Sequence, residues 1–502
     1  MLSLRAFTTA KDLHVAGGIR EPMRADGTSS LRSWLRSDLS ASEVPWLAAS
    51  VTTLFQSGPP GSKITVAVVG DGFGPQDQDA YNTAVDRLLT DGLFAQDFFE
   101  ANKAAFNIVR VNLVSLESGV GTKTYGADGN LIRQDDRDTA LGAYYNGNWA
   151  HLWVEDGPST AGRLASALSE LVPEHQLKLV VLNNPGRGGR GGNWRATVPL
   201  GIGWPTLAHE FGHAMGRLGD EYHDRDETYG DTEPTVPNLT TNTDRATLKW
   251  GRSVRAETLV PTGGDDYTPP KPSGWDDSQD VGLFEGGGGS YRFGVYRPVV
   301  NCRMRKNYPE FCPVCAKAMT EVVAPYLANA PLIGVGSGDT TAALSEGDGT
   351  GYVRLVVRLE QGVLRVLEAR EFDGPFVETG LVTQGFAHEV RIGGRRVALG
   401  SLPDAGVSRG FSEIGTDGPR EHVVHRPDAF DFVVRVASAE LRGADLSELT
   451  VDLVSVGAGR GDALGEVPLR EDPALDVTPI ASLADLSLAD LPMSLRRIVE
   501  PE

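Results

Sequence analysis

TLAHEFGHAMGRLGDEY, from Thr206 to Tyr222, is the stretch from which the fold and the chemistry of this chain are read. His209 and His213 are four residues apart, so on a helix of 3.6 residues per turn they share one face. Two imidazoles placed this way can take two corners of one zinc tetrahedron. Glu210 follows the first of them and points beside the metal, where a general base takes the proton of an attacking water. Leu207, Phe211, Ala214, Met215 and Leu218 recur at helical spacing as one apolar stripe. The histidines lie roughly 200–240° round from Leu207, so the helix is expected to bury one side and offer its ligands to a cleft on the other. Pro205 suits the first turn, where its missing N–H is not needed.

The third ligand is a question of geometry. Asp220 lies seven residues after His213, which on a straight helix is about 10 Å along the axis. Zinc–ligand bonds are only about 2.0–2.2 Å, so the helix has to end first. Gly216 and Gly219 can end it and fold the chain back, because glycine tolerates the left-handed conformation of a C-cap. A metzincin has glycine at the position of Gly216 but takes its third ligand from the residue that here is Gly219, which has no ligating side chain. Asp220, one step later, is the expected third ligand, and Glu221 is its competitor.

With 502 residues the chain is long enough for two or three domains. Its formal net charge of −20 argues against a nucleic-acid partner, and no apolar run approaches the roughly 18 residues of a membrane span. The start, MLSLRAFTTAKDLHVAGG, has no continuous apolar core, so no signal peptide is read from it and a cytoplasmic location is the default. The only cysteines are Cys302, Cys312 and Cys315. A disulfide-stapled scaffold is therefore excluded, whereas a local bridge or thiol cluster is not. Cys312-Pro313-Val314-Cys315 has no second CxxC to complete a separate structural zinc site, so none is expected.

Ahead of the motif, SSLRSWLRSDLSASEVPWLAASVTTLF reads as one or two short helices within an N-terminal segment, residues 1–60. Ile64 to Val69 reads as a buried strand, Asp79 to Ala101 as a helix, Phe106 to Val114 as a second strand, Gly119 to Trp149 as loops, Arg163 to Leu171 as a helix and Leu177 to Asn183 as a third strand. The β–turn–α order around Gly70, Gly72 and Gly74 invites a nucleotide-dependent enzyme. Pro75 breaks GxGxxG and no GK[ST] follows, so the expected role is a tight turn with Asp71 near a cleft edge. NPGRGGRGGN, Asn184 to Asn193, reads as a flexible loop. It stands where a zincin has an edge strand that pairs with extended substrate. Asn238-Leu239-Thr240 is a glycosylation sequon.

After residue 334 the composition turns to Gly, Ser and Thr, a linker over 331–351, and then to short alternating strands. Val353, Leu355, Val357 and Leu359 alternate with polar residues apart from Val356. Gln361-Gly362 and Gly393-Gly394 are hairpin turns, and Phe430 to Val436 and Leu449 to Val456 add strands. A β-sandwich over 352–475 is expected, with His422 and His425 as ordinary hairpin residues and a tail, 476–502, either helical or frayed.

The region from about residue 60 to 327 resembles the IgA-peptidase family of zinc metallopeptidases. The resemblance runs through VVGDGF, VDRLLTDGLFAQDFF, FNIVRVNLVSLESGV, HEFGH with LGDEY, GLFEG, GVYRP, CRMR and FCPVC. It implies a metzincin-like zincin catalytic domain over 61–330, with a mixed sheet and the HExxH active-site helix, followed by the C-terminal β-sandwich. It further implies one catalytic Zn2+ on His209, His213 and Asp220, Glu210 as base, and Met304 as the Met-turn residue beneath the histidines. The function expected is a metalloendopeptidase acting on protein or peptide, with Tyr222, Tyr291 or Tyr296 as a helper at the oxyanion. The alternative is a non-proteolytic binding or adhesion protein on a zincin scaffold. Members of the family tend to be exported, which sets the resemblance against the cytoplasmic default.

Overall fold

The computed structural model describes residues 13–14, 47–125, 130–146, 151–153, 160–186, 188–201, 204–263, 271–327, 351–377, 382, 385–402, 406–411, 422–426, 429–457, 467–472, 475–484 and 495–496. The chain is a mixed α/β protein with several sheets and few helices among these residues. It divides into two compact units. The first comprises Met1–Ser57, Ile64–Thr320 and Ser408–His425; the second comprises Gly58–Lys63, Glu321–Val407 and Arg426–Glu502. All of the expected linker over 331–351 except Gly351, and most of the N-terminal segment, lie outside the described residues.

The first unit is built on a nine-stranded sheet. Ile64–Asp71 is buried at every position, as an unbroken apolar run should be when a strand is covered on both faces. It pairs in parallel with Phe106–Leu113 and with Leu177–Leu182, and Arg195–Pro199 continues the parallel set. The flanking strands are antiparallel. Ala49–Gln56 and Leu13–His14 lie on one side, and Gly189–Gly192, Ser408–Phe411 and His422–His425 follow in turn on the other. Helix Thr160–Leu171 packs Leu164, Ala167 and Leu168 against Val69, Val111 and Val180 of the sheet.

Several local expectations give way here, each for a physical reason. Ala49–Gln56, expected to be helical, is a strand because Phe106–Leu113 offers it an edge. The helix expected over Asp79 to Ala101 is broken into Gln78–Arg87, a wide π turn over Leu88–Leu93, and Asp97–Ala101. The wider turn gathers Leu88, Leu89 and Leu93, all buried, toward one side. The segment read as loops from Gly119 to Trp149 contains strands Gly121–Tyr125, Leu131–Asp135 and Tyr144–Asn146, which with His151–Trp153 form a separate small sheet. Leu131–Asp135 is exposed along its whole length, so no burial period marks it in the sequence. Gly189–Gly192, inside the supposed flexible loop, is a buried strand hydrogen-bonded on both sides. Glycines carry no periodicity, and only the neighbouring strands define this one.

In the second unit, Val363–Asp373, Gly351–Glu360 and Ala429–Ala437 form a three-stranded sheet. Arg395–Leu402, Gly385–Ile392, Leu449–Val456 and Val477–Leu483 form a four-stranded one. Val353, Leu355 and Val434 from the first sheet share one apolar cluster with Val390, Val451 and Leu453 from the second. Both hairpin turns take positive φ at their central residues, 52° and 78° at Gln361-Gly362 and 56° and 77° at Gly393-Gly394, which matches the right-handed twist of the strands they join. The start of the supposed tail, Val477–Leu483, is neither helical nor frayed but an antiparallel partner of Leu449–Val456.

Candidate metal centre

Helix Trp204–Ala214 carries His209, Glu210 and His213, with Pro205 in its first turn. Leu207, Phe211, Ala214 and Met215 are buried as the apolar stripe requires. The opposite face is covered as well: His209 is 1% exposed, Glu210 0% and His213 2%. The ligand face therefore does not lie open in a cleft, because the Gly189–Gly192 strand runs directly over it. After Ala214 the chain turns back, and the left-handed residue is Arg217, at φ 59°, rather than Gly216 or Gly219. Those two glycines serve close approach instead. A Cβ on Gly216 would lie 2.2 Å from Met319 Sδ, and one on Gly219 would lie 2.7 Å from Leu239 Cδ1.

The reversal brings Asp220 to the histidines. Its Oδ1 is 3.0 Å from His209 Nε2 and 3.2 Å from His213 Nε2, and the two Nε2 atoms are 3.0 Å apart. Each ring is oriented from behind. His209 Nδ1 lies 3.0 Å from the carbonyl of Arg303, and His213 Nδ1 lies 2.6 Å from the carbonyl of Leu218. A carbonyl only accepts, so both Nδ1 atoms carry the proton, and in the neutral rings both Nε2 atoms present lone pairs. Burial holds the His213 imidazole below its ordinary value, against the pull of the Asp220 carboxylate. Two lone pairs and a carboxylate oxygen thus converge on one buried point, which repels itself unless a cation sits there. A zinc tetrahedron with bonds of about 2.0–2.1 Å has edges of about 3.3 Å, so the donor set and its spacing fit that ion.

Glu210 is the second unusual feature. Both carboxylate oxygens are buried and accept no hydrogen bond among the described residues. Burial drives its pKa well up, the Asp220 charge adds to that, and the Arg190 guanidinium opposes it. Its nearest cover is glycine. A Cβ on Gly189 would fall 2.2 Å from Glu210 Oε1, and one on Gly191 would fall 2.3 Å from the Glu210 carbonyl and 2.8 Å from His213 Cβ. The glycine run lets a backbone strand press against the ligand helix without a side chain striking the carboxylate. Arg190, between the two glycines, is held by Ser408 Oγ at 2.9 and 2.6 Å.

Asp220 and Glu221 part company. Glu221 turns away from the histidines to Cys315 Sγ, 3.1 Å from its Oε1, within a fully buried group that includes Cys302 and Cys312. All three cysteines are free thiols. Burial pushes the Glu221 carboxyl and the Cys302 and Cys315 thiols up. At Cys312 the hydrogen bonds from the other two thiols outweigh burial and bring it down to about 6. Asn238 bridges the turn: its amide accepts from Gly219 N at 2.7 Å and donates to Gly219 O and Glu221 Oε1, both at 2.9 Å. Fully buried and committed on both amide atoms, this asparagine is not a glycan acceptor, whatever the sequon suggests.

Met304 is buried, with its Sδ against Gly212 between the two histidines. A Cβ there would lie 2.7 Å from the sulfur. The three tyrosines are scattered. Tyr222 is buried, and its backbone carbonyl accepts from Gly289 N at 3.0 Å. Tyr291 packs edge-on against Tyr229, and Tyr296 pairs through its backbone with Thr240. Gly189, Gly191, Arg190, Asn238 and Arg303 surround the site in roles that the sequence reading did not give them. Arg303 is fully buried and bonded to Gln96, Glu310 and the carbonyls of Pro205 and Asn307.

The Gly70–Gly74 turn does not cradle a phosphate. Gly72 N–H donates to Ser115 Oγ and Gly74 N–H to Asp77 Oδ2, so these donors are already used. Asp71 is fully buried, not at a cleft edge. It accepts from Leu141 N, Ala143 N and Thr139 Oγ1 at 2.8–2.9 Å.

The family model described as IgA Peptidase M64 matches residues 52–269 and 274–323. That covers more than half of the chain, and the chain belongs to this peptidase family, whose substrates are protein or peptide. No curated protein matches it. Among the described residues no helix is long and apolar enough to cross a membrane.

Proposed function

We propose that this peptidase is a zinc-dependent endopeptidase of metzincin-like build, with His209, His213 and Asp220 holding one catalytic ion and Glu210 acting as general base. The observation that carries the reading is the convergence of three acceptor atoms within 3.0–3.2 Å beside a buried carboxylate that accepts no hydrogen bond among the described residues. Zinc held there supplies a Lewis acid that polarises water and the scissile carbonyl. Glu210 removes the proton from the attacking water and delivers it to the leaving amine. Gly189 and Gly191 leave the carboxylate room, and Arg190 supplies a compensating positive charge. The carbonyls of Arg303 and Leu218 keep both rings in the Nδ1–H tautomer, so that Nε2 ligates.

A bare carboxylate beside the cluster argues against a binding protein that only inherited the scaffold, since isolated buried charge is costly to keep without use. The second unit, with two sheets around a shared apolar cluster, is read as a β-sandwich. Glu210→Gln is the decisive variant. It is expected to keep its zinc and to lose about 10²–10⁴-fold in kcat, measured on a peptide library alongside metal analysis. Wild-type turnover in that variant would remove Glu210 from the mechanism.

A further inference from the structure

The described residues hold a second cluster that the peptidase reading does not use. Glu221, Cys302, Cys312 and Cys315 are all fully buried, and their ligand atoms lie within 4.8 Å of one another. Cys302 Sγ and Cys315 Sγ are 3.7 Å apart. A disulfide needs about 2.05 Å, whereas a tetrahedron of zinc–sulfur bonds near 2.3 Å has edges of about 3.8 Å. The sulfurs also receive backbone donors: Cys312 N–H points to Cys302 Sγ at 3.4 Å and Cys315 N–H to Cys312 Sγ at 3.5 Å. Such N–H···S bonds stabilise thiolates rather than thiols. Glu221 is held by Asn238 through Oε1, while its Oε2 is buried and accepts no hydrogen bond among the described residues.

We infer that Cys302, Cys312, Cys315 and Glu221 bind a second metal ion, a closed structural zinc, distinct from the ion on His209, His213 and Asp220. This departs from the expectation drawn from the lone CxxC. The missing fourth corner comes from a carboxylate that the sequence placed with the histidines, and the third from a cysteine ten residues upstream of Cys312. Three thiolates and a carboxylate form a donor set that zinc accepts. Magnesium and calcium prefer all-oxygen sites, and copper(I) prefers sulfur alone. Four protein donors leave no open position, which is the mark of a structural rather than a catalytic site.

The cluster is placed to hold the first site together. Glu221 adjoins Asp220, and Cys302 adjoins Arg303, whose carbonyl orients His209. Glu221 N–H also donates to the Met304 carbonyl at 2.8 Å. An ion gripping residues 221 and 302 therefore ties the third ligand of one strand of chain to the carbonyl behind the first ligand on another.

The test needs no assumption about catalysis. Metal analysis of the full chain purified without chelator is expected to find about two zinc ions per chain, and X-ray absorption is expected to show sulfur scatterers at about 2.3 Å. Cobalt substitution is expected to produce thiolate-to-cobalt charge-transfer absorption. His213→Ala is expected to keep about one ion together with that absorption, and Cys315→Ser to lose it. About one zinc per chain with no sulfur shell would overturn the inference, as would a stoichiometric Cys302–Cys315 disulfide under native, non-reducing mass spectrometry. Because the scattering and cobalt readouts use wild type, they stand even where Cys315→Ser fails to fold. Wild type that carries both ions and cleaves no peptide would count against the catalytic reading alone.

Discussion

Asp220 and Glu221 are chain neighbours with the same functional group, yet they face two different buried clusters. Asp220 joins two imidazoles, and beside it Glu210 accepts no hydrogen bond among the described residues. Glu221 joins three thiols and is braced by Asn238. The first arrangement gathers three ligand atoms and the second four. An extended backbone sends successive side chains to opposite sides, so one dipeptide can serve both. The second unit supplies a third case. His388 is buried against Phe432, opposite Gly400 and Leu453 across the strands, with no charged partner contributing to its shift. It stays neutral by losing its proton, with a pKa lowered by burial to about 4. Buried ionisable groups gathered into clusters answer one another, whereas an isolated one discharges.

The contrast breaks most sharply at the dipeptide. Asp220→Ala is expected to abolish turnover and to lose the ion on the histidines while the sulfur-bound ion remains, read by activity and by metal content. Glu221→Gln is expected to leave the histidine-bound ion and to lower activity about 10–100-fold, the usual cost of disturbing a ligand's support. Equal losses from both variants would mean that the two clusters are one site. A graded chelator titration sharpens the same point. The open three-ligand site is expected to empty first with all activity, and the closed site later with a fall in melting temperature.

His388 predicts a pH dependence confined to the second unit. The unfolded histidine takes a proton near 6.5 and the folded one only near 4, so between those values the unfolded chain holds more protons. Stability is therefore complete above pH 6.5 and falls as pH drops toward 4, by about 3 kcal/mol in all. Urea unfolding of the full chain, followed by hydrogen exchange in strands Gly385–Ile392 and Leu449–Val456, measures it. His388→Gln is expected to flatten the slope, and an unchanged slope would show that the ring is protonated in the fold. A smaller effect is expected at Asn238→Ala, which strips partners from Gly219 and Glu221 at once. The expected cost is about 2 kcal/mol, by the same unfolding measurement, with turnover falling as well because the turn carries both acids.

The sequence by itself determined the ligand helix, because a four-residue histidine spacing and an apolar stripe are local consequences of 3.6 residues per turn. It also marked three of the four parallel core strands and the two hairpins, whose signals lie within a few residues, but not Arg195–Pro199. Only the tertiary structure placed Asp220 rather than Glu221 beside the histidines, with Arg217 turning the chain and Asn238 clasping it from nineteen residues away. The same holds for the glycine strand over Glu210 and for Cys302 meeting Cys315 and Glu221. These contacts join stretches far apart in the chain, so their physical cause is packing between segments, which no window of neighbouring residues encodes.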